Sequence, residues 1–420
     1  MRTRDAWRMA RLDNERIGYR PGWINMAQHS SSARVLIIAD DLTGALDTAG
    51  PFAEQGVATK VVADPLESDP ATVLDARVVS VNTDSRHLPP GEAARHVQRC
   101  ARRFSDQRFD FVFKKIDSTL RGNVVSETLA LMDVFRRKTA LIAPAFPAQG
   151  RTVVDGVVHV DGVPLAHTGF ARDALSAPPL QPLSEVFGAV VGPERVSAWR
   201  QGEALSRPDG GVVIADAGSD DDMSELMNKA ADRTNDALLV GSAGLGLVLA
   251  RRLDGNRRAA PTALTATTAP IVFVVGSRAA RSREQVAQLG RQPHTVLLEA
   301  PNGIIGEISD AIGAKQIVLL AVEDPEAEIA DSVEVARRLA QTGLEISALV
   351  GSEAVVVTGG DTAIAVLEAS RCAVLDVCGN LMPGIPFSAF QSNGRSIYLV
   401  TKAGGFGVRD TLVEIVQCLR

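Results

Sequence analysis

Short, nearly uninterrupted apolar runs alternate with amphipathic stretches of helix length along most of the chain. In the first half the runs are RVLIIA (34–39), TKVVA, ARVVSVN, FDFVFKKI, TALIAP, GVVIADA and ALLVG (237–241). Helical spacing fills several intervals, as in GALDTAGPFAEQG, GEAARHVQRCARRF and VVSETLALMDVFRR. Strands that are apolar on both faces and separated by helices predict parallel sheet covered on two sides. Residues 254–270, DGNRRAAPTALTATTAP, have no periodicity and concentrate Ala, Thr and Pro, which predicts an interdomain linker. Beyond it the alternation resumes with PIVFVVGS, HTVLLEA, KQIVLLAV, AVVVTGG and SIYLVTKAGG. At 420 residues the chain is also longer than most single domains. The pattern therefore predicts an α/β protein of two domains, 34–253 and 271–420, each a largely parallel sheet flanked by helices. Residues 1–33 show no clean period and are set aside as an N-terminal extension, expected to be flexible.

Composition narrows the class. A net charge of −6 with only 4% aromatic residues gives neither the basic footprint nor the stacking surface of a nucleic-acid binder. No run is long and apolar enough to span a bilayer, and the N-terminus lacks the apolar core of a signal peptide. Cys100, Cys372, Cys378 and Cys418 form no C-x-x-C pair, and the six histidines no close pair, so neither zinc nor a histidine-built metal site is expected. Reduced thiols in a cytoplasmic protein fit this usage.

The chemistry gathers where strands end. In open parallel sheets ligands sit outside the carboxyl ends of the strands. In the first half those ends read ADDLTG, NTDSRHL, KKIDSTLRGN and PAFPAQGRT. Arg86, Lys114, Lys115, Arg121 and Arg151 supply cations, and an arginine can grip a carboxylate through two parallel hydrogen bonds. Asp40, Asp41, Asp84 and Asp117 can accept from hydroxyls, and the helix after the first pair carries a further acid, Asp47. Ser85, Ser118, Thr119, Asn123 and Gln149 add neutral contacts, and Gly122 and Gly150 lie within the same segments. Such a set suits a small ligand with one carboxylate and several hydroxyls, a sugar acid. Thr43, Ser118 and Asn123 serve equally well as helix caps. The adjacent Asp40 and Asp41 exceed that need, since one cap uses one acid. They are read as orienting substrate hydroxyls, with one available to deprotonate the attacking hydroxyl.

The second half ends its strands differently, in VVGSRAARS, VVTGGDTAIA and VTKAGGFGVRD. Glycine-rich turns opening helices let backbone N–H groups approach phosphate oxygens. Gly359, Gly360, Asp361 and Thr362 form one such turn. Gly404, Gly405 and Gly407 follow Lys402, whose ammonium could pair with a phosphate, and Ser277 and Arg278 form a third turn. No Gly-Lys dipeptide exists, so a Walker A loop is absent. VGSAGLGLVLARRL orders its glycines G-x-x-G-x-G with no ribose-binding acid downstream, and reads as close helix–strand packing.

Taken in order, ADDLTGALDTA, NTDSRHL, FKKIDSTLRGN, APAFPAQGRTVVDG, GSAGLG, VVTGGDTA, NLMPGIPFS and TKAGGFG give a sequence that resembles the four-carbon acid sugar kinase family, from about residue 34 to the C-terminus. The resemblance implies ATP-dependent phosphorylation of the terminal hydroxyl of threonate, erythronate or 3-oxo-tetronate. It implies an N-terminal sugar-acid domain, a C-terminal nucleotide domain, and an active site in the cleft between them. Nucleotide contacts would fall on Ser277, on Gly359 to Thr362 and on the glycines after Lys402. Arg278 stands in a turn where many relatives carry Gly-Ser-Cys-Ser, and Gly405 where they commonly carry asparagine.

On this reading ATP and Mg²⁺ lie on the second domain, with no residue assigned to the metal. Lys115 or Arg121 neutralises charge, Arg86 and Arg151 fix the substrate carboxylate, and either Asp41 or Asp117 is the base. A homodimer is compatible with it. Two other classes remain, a non-catalytic sugar-acid sensor and a sugar-acid dehydrogenase. The sensor would not need the second set of glycine turns, and the dehydrogenase would need the missing dinucleotide fingerprint.

Overall fold

The structure, a computed structural model, describes residues 33–172, 176–206, 211–230, 236–253, 266–300, 312, 316–322, 331–392 and 394–420. The N-terminal extension up to residue 32 and residues 254–265 of the expected linker lie outside the described residues.

The apolar runs of the first half become strands β1 (Val35–Ala39), β2 (Thr59–Val62), β3 (Val78–Asn82), β4 (Phe111–Lys115) and β5 (Thr139–Ala143). A small antiparallel sheet follows, built from β6 (Arg151–Val154), β7 (Val157–Val160) and β8 (Val163–Pro164). Strands β9 (Val196–Trp199), β10 (Val212–Ala215) and β11 (Ala237–Gly241) complete this half. The second half contributes β12 (Ile271–Val275), β13 (Thr295–Glu299), β14 (Ile317–Ala321), β15 (Ala354–Thr358), β16 (Val374–Met382), β17 (Ile385–Ser392) and β18 (Arg395–Lys402). Every residue of β1, β3, β4, β5, β11, β12, β14 and β15 is buried, as strands covered on both faces require.

The covering helices are α1 (Leu42–Glu54), α2 (Pro90–Arg102), α3 (Val124–Val134), α4 (Leu183–Val191), α5 (Asp220–Ala230), α6 (Ala243–Ala250), α7 (Ala280–Gly290), α8 (Ser332–Leu349), α9 (Gly360–Ala369) and α10 (Thr411–Leu419). Helix α1 starts where Asp41, in extended conformation, accepts a hydrogen bond from the Gly44 amide at 3.0 Å. It is apolar or small nearly all round, and ten of its thirteen residues are buried. Its Leu42, Ala45, Leu46, Ala49 and Ala53 belong to the same apolar cluster as Val274, Val357 and Leu339 of the second half. This helix stitches the two halves together.

The predicted α/β class holds, but the two parallel regions form one continuous sheet of 15 strands. Eight parallel strands, β2-β3-β1-β4-β11-β5-β10-β9, meet five, β13-β14-β12-β15-β18, through β17 and β16. Strand β16 pairs antiparallel with β2, with Val374 opposite Val62 and Asp376 opposite Lys60. No helix separates β16, β17 and β18, so the strand–helix alternation carried no sign of this junction.

Strand direction therefore reverses between the halves, and in a flat sheet their carboxyl ends would lie on opposite edges. Six strand-to-strand steps separate β15 from β1. At roughly 20–25° of twist each, they accumulate on the order of 120–150°. That rotation nearly undoes the reversal and brings both sets of carboxyl ends to one place.

Candidate active site

A cavity of about 410 Å³ opens where β1 and β4 lie side by side and their helices leave in opposite directions, α1 toward β2 and α3 toward β5. This is the crevice where open α/β sheets bind ligands. Its walls come from the segments after β1, β3, β4, β5 and β11, and, from the other half, from the start of α9 and the loop after β18. The N-termini of α1, α6 and α9 all reach it through Thr43, Ala243 and Gly360. Three helix N-termini directed at one space favour an anion there.

Several charges that the strand exits bring together are paired with one another. Arg86 donates from Nε and Nη2 to Asp40 Oδ2 and Oδ1 at 2.8 and 3.0 Å, and from Nη1 and Nη2 to Asp41 Oδ2 and Oδ1 at 2.9 and 2.7 Å. Burial alone would push the Asp40 carboxyl up, but Arg86, Lys114 and Lys115 outweigh it and bring the pKa down to about 2. The adjacent acids are thus the two jaws that hold one guanidinium. Arg86 as a clamp for the substrate carboxylate is corrected accordingly, because four of its five N–H bonds are already spent.

Asp117 is held in the same manner. Arg121 Nε and Nη2 donate to its two oxygens at 3.0 Å each, the Thr119 amide donates at 3.1 Å, and the Thr119 hydroxyl donates as well. Burial would raise its pKa, yet Arg121, Arg86 and Thr119 drive it well below the usual carboxylate range. Asp117 is therefore no ready proton acceptor near neutral pH. Both Asp41 oxygens already accept from Arg86, one of them also from the Gly44 amide, so neither acid offers a free oxygen to the attacking hydroxyl, which corrects both as candidates for the base. Arg121 is engaged with Asp117 in the cavity wall.

Strand β4 ends in two lysines that the pleat sends to opposite faces. Lys114 turns away from the cavity and pairs with Glu127 on α3 at 2.5 Å, both side chains 1% exposed. Burial raises the Glu127 carboxyl, which also accepts from Ser85 Oγ at 2.8 Å. Lys115 turns into the cavity. It is 5% exposed, and its ammonium makes no hydrogen bond or ion pair with any described residue. Asp47, one helical turn and a half beyond Asp41, lies in the same wall and likewise has no hydrogen-bond or ion-pair partner among the described residues. Burial, with Asp41 adding and Lys115 opposing, pushes its pKa up to about 6.

Several predicted contacts thus form the frame beneath the cavity and do not line it. Asp40, Ser85 and Lys114 are buried in the networks just described. Asn123 Nδ2 donates to the carbonyls of Leu88 at 2.8 Å and Ser85 at 3.2 Å, fixing the loop that carries Arg86. Gly122 packs against Asp40 and Arg86, and Gly150 against Asp161. Asp41, Asp84, Arg86, Lys115, Asp117, Ser118, Arg121, Gln149 and Arg151 do line it. So do Phe146 and Phe170, the latter stacked 5.7 Å from the Arg151 guanidinium. These aromatics had no signal in the sequence, because they sit in loops with no period.

On the opposite wall the glycine loops after β15 and β18 lie together, with the Gly359 amide donating to Lys402 O at 3.0 Å. Gly359 has φ +108°, a conformation that side chains other than glycine's rarely adopt. Lys402 is corrected as a phosphate ligand. Its ammonium is buried inside its own loop, donating to the carbonyls of Ala403, Gly404 and Phe406 at 2.8, 3.2 and 3.2 Å, and burial lowers its pKa to about 8. Ser282 Oγ also donates to Gly404 O, at 2.7 Å, and Gln285 Nε2 to Phe406 O, at 3.1 Å. The loop's carbonyls are gathered from behind, while the amides of Gly404 and Gly405 donate to no described residue. Gly407 packs against Thr411 outside the cavity. Gly360, Asp361, Gly404 and Gly405 face the first cavity. Ser277, Arg278, Gly359 and Thr362 line an adjoining one of about 310 Å³, floored by Val335, Ala336 and Leu339 of α8 and sharing Asp361 and Gly404 with the first. Arg278 Nη1 is buried there without a hydrogen-bond partner.

Comparison with known proteins agrees with this division of chemistry. Residues 35–249 match the model of a sugar-binding N-terminal domain, and residues 272–412 that of a nucleotide-binding C-terminal domain. The chain is 32% identical to the D-threonate kinase of Bordetella bronchiseptica, covering 91% of this chain and 97% of that one. It is 27% identical to the 3-oxo-tetronate kinase of Pseudomonas savastanoi, covering 93% and 98%. A crystal structure of a Haemophilus influenzae protein shares the fold at a TM-score of 0.70 and 21% identity, covering 91% of this chain and 99% of that one. On the matched domains and the identity along nearly its whole length, the chain belongs to the four-carbon acid sugar kinase family.

Proposed function

We propose that the chain transfers the γ-phosphoryl group of ATP to the terminal hydroxyl of a four-carbon sugar acid held between β1, β3, β4 and the β6–β8 sheet. The observation that carries this reading is Lys115, a buried and unpartnered ammonium facing a space on which three helix N-termini converge. Phosphoryl transfer asks chiefly for positioning and for neutralisation of charge on the moving group, and this wall supplies both. Residues 34–253 hold the sugar acid on this reading. Gln149 and Arg151 face it from the first half and Ser118 offers a hydroxyl, with Arg151 taking the carboxylate role that Arg86 cannot fill. Residues 271–420 hold the nucleotide, with the amides of Gly360, Gly404 and Gly405 toward the phosphates and the α8 floor beneath the adjoining cavity. Relatives that are 32% identical carry the name D-threonate kinase, which supports D-threonate as the acid.

A divalent cation fits this site. Among the described residues no group of three or more metal-binding side chains is present, but Mg²⁺ beside phosphates needs only one or two carboxylates. Asp84 and Asp361 face the cavity from the two halves. Burial and then the Asp361 charge raise the Asp84 pKa, so a cation would relieve their repulsion. When bound, it would neutralise charge on the phosphates.

The direct test is ADP release with ATP, Mg²⁺ and D-threonate, D-erythronate or 3-oxo-tetronate. Turnover of at least one is expected, and no release above background with any of them would end the kinase reading. The nucleotide wall is tested apart from turnover. A Cβ added at Gly404 would lie 2.9 Å from Ser277 Cβ and overlap its hydroxyl, so the loop must shift. Gly404→Ala is expected to weaken ADP about tenfold by calorimetry, or about 1.4 kcal/mol, with the fold retained. Unchanged ADP affinity would place the phosphates elsewhere.

A further inference from the structure

Five carboxylates reach the candidate active site, and their surroundings divide them. Asp41 and Asp117 are saturated by arginines. Asp84 and Asp361 face each other from opposite halves, where a cation or phosphates would meet them. Asp47 differs from all four. It projects from the interior of α1, away from the cap, into the wall that holds Lys115, with no hydrogen bond or ion pair among the described residues.

We propose that Asp47 is the general base that accepts the proton of the attacking hydroxyl. The inference rests on the kinase reading above and names one residue within it. The sugar-acid oxygen forms a bond to the γ-phosphorus while the bond from that phosphorus to the β,γ-bridging oxygen breaks. ADP departs with that electron pair, and the hydroxyl proton passes to an Asp47 carboxylate oxygen. Lys115, beside Asp47, neutralises charge on the phosphoryl group and keeps the carboxylate ionised at neutral pH. Burial, with no arginine partner, gives Asp47 an affinity for a proton that Asp117 lacks, and leaves its oxygens free where those of Asp41 are occupied by Arg86.

The proposal has a pH signature. Asp47, with a pKa of about 6, must be ionised to work, so activity falls as pH drops through that value. The groups that set this value are Lys115 on β4 and Asp41 at the start of α1. The other charged groups facing the cavity are Asp84, Arg86 and His87 after β3, Asp117 and Arg121 after β4, Arg151 on β6, and Asp361 on α9.

The experiment compares wild type, Asp47→Asn and Asp47→Glu, using ATP, Mg²⁺ and whichever of the three tetronates wild type turns over fastest. Asp47→Asn is expected to lower kcat by about 10²–10⁴-fold, the range for loss of a general base. ADP affinity and Tm should stay unchanged, and the acidic limb should vanish from the residual activity. Asp47→Glu should recover part of the rate and keep an acidic limb. The proposal is overturned if Asp47→Asn turns over like wild type, if its acidic limb persists, or if it loses ADP affinity in step with kcat. Inactive wild type would instead overturn the kinase reading, so the two failures are separable.

Discussion

Lys115→Met is expected to lower kcat by on the order of 10³-fold while leaving the fold and ADP affinity near wild type, since a donor aimed at developing charge contributes on that scale. Methionine keeps the length and the buried methylenes of lysine and removes the ammonium. Because that ammonium pairs with no described residue, its loss leaves no orphaned partner, and Tm should hold. A second readout has a definite sign. Lys115 opposes the upward shift of Asp47, so its removal lets the Asp47 pKa rise further above about 6. The acidic limb of the residual activity should then move to higher pH. A variant with wild-type kcat, or one whose defect lies wholly in KM for the sugar acid, would remove Lys115 from the transferring phosphoryl group.

Arg86→Leu is expected to fail in another manner, as a folding defect. The Arg86 and Asp40 side chains are 10% and 3% exposed, so deleting the cation strands buried charge. Breaking a buried pair by removing one partner costs roughly 3–5 kcal/mol, readable as a shift of the urea midpoint. The pH dependence separates this from lost packing. In wild type the Asp40 pKa is depressed from 3.8 to about 2, so the stability it contributes is present above 3.8 and lost as pH falls through about 2. Without Arg86 only Lys114 and Lys115 oppose the burial that raises Asp40, so its folded-state pKa moves up, and once it passes 3.8 the sign inverts. The contribution is then present at low pH and lost as pH rises through the raised pKa. The stability deficit of Arg86→Leu should therefore be smaller at about pH 5 than at about pH 8. A deficit that does not vary with pH, or full stability with only a raised KM for the sugar acid, would restore Arg86 to the substrate.

The sequence by itself determined the elements and the addresses of the chemistry. Runs such as VLIIA and IVFVV, apolar at every position, can be buried only in a sheet covered on both faces, and the structure places both there. The polar segments after β1, β3, β4 and β5 line the cavity because the carboxyl ends of parallel strands share an edge. These properties are local or follow from one periodicity. Two things were decided by tertiary structure alone. One is the joining of the halves, since β16 and β17 enter as antiparallel strands without intervening helices, and accumulated twist brings opposed strand ends together. The other is which charge stays free. Lys114 and Lys115 are adjacent and chemically identical, yet the pleat sends one to Glu127 and the other to the cavity. Asp40 and Asp41 stand out in the sequence because they are adjacent, but Arg86, 45 or more positions away, neutralises them. Asp47 is inconspicuous, and no arginine comes close enough to claim it. Proximity through space governs how strongly charges interact, and it is set by packing that no stretch of chain encodes alone.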